Sequence, residues 1–251
     1  MTQIVPSQFP LTRMRRNRQA DWTRRLTRES ALTCNDLIWA LIVHDGTEPK
    51  VPVSSMPGLN RLNIDEAVKA AERARDMGIP ALALFPNIDP SRKDDTGSEA
   101  LNPNGFVPRV IRAIKQEVPE VGIMCDVALD PFTTHGHDGV LNSRNQVDND
   151  ETLARLVEQS LVQAEAGVDV VAPSDMMDGR IGAIRSALEA ANYKDTMIMS
   201  YSAKYASCFY GPYRDAVGSG AVLTGDKKTY QMDFGNSDEA IRETALDLQE
   251  G

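Results

Sequence analysis

Lys204 stands in the tetrapeptide Ser202-Ala203-Lys204-Tyr205, directly after the mostly apolar run Thr196 to Ser202. A lysine leaving a buried strand is partly desolvated. That lowers its pKa and leaves part of the amine neutral, as a Schiff-base nucleophile requires. The plainer alternative is a strand-end lysine that snorkels to water. A second concentration of chemistry lies in DVALDPFTTHGHDG, where Asp126, Asp130, His135, His137 and Asp138 share one stretch. Carboxylates and imidazoles on one loop suit metal binding or proton transfer. Asx turns around Gly136 and Gly139 would account for the same residues without chemistry. Cys125 is alone there, and Cys34 and Cys208 are far away in sequence. Neither a thiolate zinc site nor a disulfide framework is expected, and a reducing, cytoplasmic setting fits best. Gly220 to Lys227, GAVLTGDK, approximates a phosphate-binding loop, but Asp226 stands where phosphates would sit. A mobile glycine-rich loop is the better reading.

These residues need a frame that brings strand ends together. Asp36 to His44, Ile79 to Pro86, Val121 to Leu129, Val168 to Pro173 and Thr196 to Ser202 are nearly continuous apolar runs, as in parallel strands covered on both faces. Between them lie helical stripes: Ile64, Ala67, Val68, Ala71 and Ala74, then Leu153, Leu156, Val157, Leu161 and Ala164. Asn63 and Asn236 are expected N-caps, each with a glutamate three residues on, and Gly78 and Gly167 close helices before the next strand. Alternation of this kind implies βαβ units, either doubly wound or as a (β/α)8 barrel. No G-x-G-x-x-G follows the first strand, which weakens a dinucleotide fold and an organic cofactor. The chemical residues follow strand ends, the active face of a barrel. About five of eight βα units are legible, with a last helix at 237–250.

The chain has 251 residues and a net charge of −9, unevenly placed. Residues 1–28 carry seven arginines and only Asp21 as an acid, against an acidic remainder at 29–251. This divides the chain into a basic arm and a barrel domain. The arm is expected to lie on acidic surface of its own or a neighbouring subunit. An acidic body repels phosphates, so no nucleic-acid partner is expected. No apolar run is long enough for a membrane span, and no secretory signal is legible at the start.

Five stretches carry a resemblance. FPLTRMRRNR from Phe9, DVALDPFTTHGHDG from Asp126, VAPSDMMDGRIGAIR from Val171, SYSAKYASCFYGPYRDAVGS from Ser200 and KKTYQMD from Lys227 resemble the porphobilinogen synthase (5-aminolevulinate dehydratase) family, in family order. The resemblance implies a (β/α)8 barrel with an arm that wraps a neighbour, in octamers or hexamers. It implies condensation of two 5-aminolevulinate molecules to porphobilinogen, a step of tetrapyrrole synthesis. Lys204 matches an active-site lysine that forms a Schiff base with substrate. Arg214 matches a carboxylate binder, and its guanidinium suits bidentate capture. Lys227 matches a second carboxylate binder on a mobile lid, with Lys228 one residue away. Gln231, Ser174 and Tyr201 match pocket-lining positions. Asp126, Asp130 and Asp138 are candidates for metal or water positioning and proton transfer.

Zinc-using members carry three cysteines where this chain has Ala128, Asp130 and Asp138. The resemblance is therefore to the branch without catalytic zinc. A hard cation such as Mg2+ is the candidate for oxygen ligands, and Glu243 matches a peripheral Mg2+ position. Phe234 replaces a proline usual in the family. The family's second lysine, in a stretch like MVKPG, would follow Gly251. On that ground the 251 residues alone are expected not to turn over substrate, and a non-catalytic remnant is the alternative.

Overall fold

The computed structural model describes residues 7–220 and 222–251; the first six residues of the arm and Ala221 of the glycine-rich stretch lie outside them. Among the described residues one sheet of seven strands forms: β1 Ile38–His44, β2 Lys50–Pro52, β3 Asn60–Leu62, β4 Ala81–Asn87, β5 Gly122–Val127, β6 Val170–Pro173 and β7 Met197–Ile198. Their order is β2-β3-β1-β4-β5-β6-β7. Along the run β1-β4-β5-β6-β7 every pairing is parallel and each strand lies beside the one before it, with Leu84 beside Cys125 and Asp126 beside Ala172, while the antiparallel pair β2 and β3 lies on the other side of β1. A doubly wound sheet reverses its order at a switch point. This run does not, which is the winding of a barrel.

Among the described residues the seven α-helices are α1 Asp21–Leu26, α2 Ile64–Met77, α3 Phe106–Glu117, α4 Asn149–Glu165, α5 Arg180–Ala190, α6 Tyr210–Val217 and α7 Ser237–Glu250. The expected caps form. Asn63 Oδ1 accepts from the Glu66 amide at 3.0 Å, Asn236 Oδ1 accepts from the Glu239 amide at 3.3 Å, and Gly78 closes α2 at φ 74°. The Glu66 carboxylate does not reach back to the cap; it pairs with Lys50 and Lys69 at 2.9 and 2.8 Å. All five expected strands are present, each shorter than its apolar run. The β2–β3 hairpin was not expected, because three-residue strands leave no periodicity to read.

Side chains alternate across the strands. One face turns Leu82, Leu84, Ile123, Cys125, Val127 and Val171 toward the helices, where they pack with Ala70, Ala74, Val110, Ile114 and Leu156. The other face carries Ala83, Met124 and Ala172 under Phe85, Val170 and Tyr201. Small residues on this inner face keep the space above it open, and the next residue of that row on β5 is Asp126. The described part of the arm forms a 3-10 helix, Met14–Arg18, and α1. Its hydrogen bonds and ion pairs among the described residues stay within itself. Phe9, Leu11, Met14, Trp22 and Leu26 are exposed. The described part of the arm thus makes no hydrogen bond or ion pair with its own body among the described residues.

Candidate active site

β5, β6 and β7 end in loops that converge over the inner face. Asp126 is the penultimate residue of β5, Asp130 and Asp138 belong to the loop that follows, Ser174 directly follows β6, and Tyr201 and Lys204 follow β7. The turn after β6 is held by Arg180, which is 2% exposed. Its guanidinium donates to the Met177 carbonyl at 3.1 Å and the Ser200 hydroxyl at 3.1 Å, and lies 3.4 Å from Asp247 of α7 and 3.6 Å from Asp175. One buried cation therefore ties the end of β6, the end of β7 and α7 together, fixing Ser174 and Tyr201 relative to each other.

Asp138 is the centre of the site. It has no exposed surface, and one oxygen accepts from the Lys204 ammonium at 3.3 Å while the other accepts from Lys227 at 2.5 Å. Lys227 also donates to Asp130 at 3.2 Å, and Lys204 to the Ser174 carbonyl at 2.5 Å. Burial raises carboxyl pKa values, but at Asp138 the two ammonium groups outweigh it and the pKa is lowered. Burial pulls Lys204 the other way. The carboxylates of Asp138, Asp130 and Asp126 outweigh it, so the amine is held above its ordinary range. The expectation of a partly neutral Lys204 is thus corrected: desolvation is present, but three carboxylates keep the proton in place. A neutral amine needs that proton moved.

Asp126 is the group placed to take part in such a transfer. Burial pushes its pKa up to about 7, against the pull of Lys204. One of its oxygens has no hydrogen-bond partner among the described residues. A carboxyl poised near neutrality suits general acid–base work. A raised folded pKa means the native state holds a proton that the unfolded chain has released, between about 4 and about 7. Stability falls through that window as pH rises, by up to about 1.4 kcal/mol per unit. Asp175, pushed by burial to about 6, acts in the same sense. Asp126→Asn should flatten the fall to the share due to Asp175, Asp130 and Glu243, whose carboxyls burial likewise raises; urea denaturation at pH 5, 6 and 7.5 measures it. An unaltered slope would overturn the assignment.

Ser174, Lys204, Tyr210, Tyr213, Arg214, Asp130, Lys227 and Gln231 line a narrow cavity of about 10 Å³, room for about one water. It adjoins a wider cleft of about 560 Å³ that shares Arg214, Lys227 and Gln231 and has Phe209 and Phe234 at its mouth. Tyr201 lies beside this group, its phenol pushed by burial up to about 12. Lys227 is buried and faces the site, whereas Lys228 is exposed beside Asp226, so geometry favours Lys227 as the functional one of the pair. Sequence reasoning missed Tyr213, whose ring meets Phe85 edge-on at 5.5 Å, and Lys93, which donates to the Gly218 carbonyl at 3.4 Å and whose pKa burial lowers. Tyr213 lies within the family-like stretch from Ser200, next to Arg214, whereas Lys93 stands in a segment with no local pattern to single it out.

The donors present decide the fit to a metal. Asp130 and Asp138 spend oxygens on the Lys227 ammonium, and among the described residues no three His, Cys, Asp or Glu side chains are grouped to hold an ion. As arranged, the trio Asp126, Asp130 and Asp138 does not fit a divalent cation. Cys125 points away, buried against the helices with its pKa raised by burial. Glu243 lies elsewhere, on α7, in a cleft of about 580 Å³ with Asp178, Asp233 and Glu239. Among the described residues no helix is long and apolar enough to cross a membrane.

Comparison with known proteins agrees with the residue pattern. The delta-aminolevulinic acid dehydratase family model matches residues 11–251. The chain is 59% identical over 239 residues to the delta-aminolevulinic acid dehydratase of Bradyrhizobium diazoefficiens, covering 95% of this chain and 67% of that protein. It is 51% identical to that of Rhodobacter capsulatus, covering 100% of this chain and 75% of the relative. It spans 57% of the chloroplastic relative from Physcomitrium patens, at 48% identity. The solved structure of the Toxoplasma gondii enzyme, in complex with its reaction product porphobilinogen, superposes with a TM-score of 0.92 at 47% identity, over 96% of this chain and 68% of that one. Barrel winding, the lysine–carboxylate site at the strand ends and these matches together place the chain in the delta-aminolevulinic acid dehydratase family.

Proposed function

We propose that this protein condenses two molecules of 5-aminolevulinate to porphobilinogen, releasing two waters. The observation that carries this is the pairing of Lys204 with Asp138 at the floor of a cavity that also holds Arg214 and Lys227. In this reading Arg214 and Lys227 take substrate carboxylates, Lys227 exchanging its aspartate partners for the ligand. The Lys204 amine, once its proton has passed to a carboxylate, adds to a substrate ketone; loss of water gives an imine. Asp126 shuttles protons. Ser174, Tyr201 and Gln231 shape the pocket. Holding both substrates makes the second condensation effectively intramolecular. The non-catalytic remnant is not favoured by the family matches. The test is direct: purified protein whose chain includes the second lysine implied by the family resemblance should form porphobilinogen from 5-aminolevulinate, and no product with folded protein of that length would refute the reading.

Catalytic zinc plays no part in this proposal, because ammonium groups rather than thiolates surround the carboxylates. Activity should therefore survive a zinc chelator. Glu243, which matches the peripheral Mg2+ position of the family resemblance and shares a cleft with Asp178 and Glu239, is the proposed peripheral Mg2+ ligand, and added Mg2+ should act as an activator lost in Glu243→Gln. The arm is proposed to pack on another copy, since its apolar residues are exposed and its arginines lack partners on the body among the described residues. Deleting residues 1–28 should leave smaller assemblies in sedimentation, and an unchanged mass would refute this.

A further inference from the structure

The segment Val222–Met232 carries Lys227 into the site, and it rests on the turn His135-Gly136-His137. Gly136 has φ 72°, and a Cβ there would lie 2.9 Å from the Ser219 carbonyl oxygen and 3.1 Å from the Leu223 backbone. Only a residue without a side chain lets the segment approach this closely. On either side of Gly136 the turn holds Thr224 at both its polar ends. The Thr224 amide donates to the His135 carbonyl at 3.2 Å, and the Thr224 carbonyl meets His137 Nε2 at 2.7 Å. A carbonyl only accepts, so Nε2 carries the hydrogen, and in the neutral ring Nδ1 is an acceptor. Nδ1 lies 3.1 Å from the Tyr230 hydroxyl, and that same oxygen accepts from the Asp138 amide at 3.3 Å. Burial holds the Tyr230 phenol far above its ordinary pKa, so it keeps its hydrogen.

The result is one directed chain of hydrogen bonds, from the Asp138 amide through Tyr230 and His137 to Thr224. It joins the segment bearing Lys227 to the backbone of the carboxylate that Lys227 contacts. At the other end the Met232 amide donates to the Lys204 carbonyl at 3.0 Å and the Met232 carbonyl accepts from the Ala206 amide at 2.8 Å. We propose that His135-Gly136-His137 is a built seat for Val222–Met232. In it, His137 and Tyr230 act as positioning residues that set Lys227 in register with Asp130 and Asp138. Neither side chain is assigned contact with the reacting atoms. The kinetic part rests on the proposed condensation; the seat itself does not.

The experiment is amide hydrogen exchange of residues 222–231 in the substrate-free protein, run on Tyr230→Phe, His137→Phe and His137→Gln. Losing one such bond should speed exchange of this segment about 5-fold. Tyr230→Phe and His137→Phe each lose two, sharing the bond between the two side chains, so both should exceed that factor to a similar extent. His137→Gln, whose side-chain amide can still donate to Thr224, should fall between parent and His137→Phe. Exchange in β4–β6 should stay as in the parent. In turnover, KM should rise by up to that factor while kcat stays within about threefold, because only the seated fraction has changed. Segment exchange at the parent rate in both Tyr230→Phe and His137→Phe would overturn the proposal. So would a fall in kcat at constant KM with acceleration throughout the sheet, the mark of a merely structural role. Should His137→Phe fail to fold, the near-isosteric Tyr230→Phe decides alone. A parent that makes no porphobilinogen would count against the condensation, while the exchange data would still judge the seat.

Discussion

Lys204→Ala is expected to abolish the covalent adduct that borohydride traps from a mixture of the protein and 5-aminolevulinate, and to cost at least about 10³-fold in turnover. The Lys204 side chain is largely buried yet charged, because Asp138 lies 3.3 Å away and Asp130 and Asp126 add to the field. Such an amine is inert until substrate binding changes the balance. A bound substrate carboxylate that draws Lys227 from Asp138 frees one oxygen of that aspartate, and Asp126, near neutrality, can take a proton. A substituted residue lacking the amine leaves the carboxylates with nothing to activate. Mass spectrometry of the trapped protein locates the adduct. Labelling of Lys204→Ala at the parent level would show that another amine does this chemistry, with Lys227 the first to examine.

Asp138→Ala should destabilise the fold by about 3–5 kcal/mol, since it strips two buried ammonium groups of their shared partner. A domain holds only about 5–15 kcal/mol, so the loss is a large share. The measure is the urea midpoint at pH 7. The double variant Asp138→Ala, Lys227→Met should recover part of the loss, because one of the uncompensated charges is then gone. The pH dependence follows from the direction of the shift. Asp138 has a folded pKa below its unfolded value near 4, so its contribution is complete above that value and is lost as pH falls through the folded pKa. Asp126 works in the opposite direction, between about 4 and about 7. The variant and the parent should therefore converge in acid. A midpoint for Asp138→Ala within about 1 kcal/mol of the parent would mean the two lysines find other partners.

The elements that place the site were legible because their signals are local. Nearly continuous apolar strands announce a sheet covered on both faces, and a helical stripe between Asn63 and Gly78 carries its own cap and stop. Lys204, Asp126, Asp130 and Asp138 were legible as well, because residue types with chemistry follow directly on strand ends and lie in long family-like stretches. What the sequence could not order is which charge meets which. Asp138 and Lys227 are 89 residues apart, Asp130 and Lys227 97 apart, and no local pattern says that one carboxylate will lie between two ammonium groups. That arrangement reversed the expected state of Lys204, since the effect of burial on an amine depends on carboxylates that only the converging loops supply. The same holds for the metal question: three aspartates in one stretch suggest a cation site, and the fold spends two of them on Lys227. It holds too for Tyr230 and His137, 93 residues apart, whose contact exists only because Gly136 lets two backbones approach. Local periodicity and strand-end chemistry thus belong to the sequence, while protonation states and the pairing of distant charges arise from three-dimensional proximity.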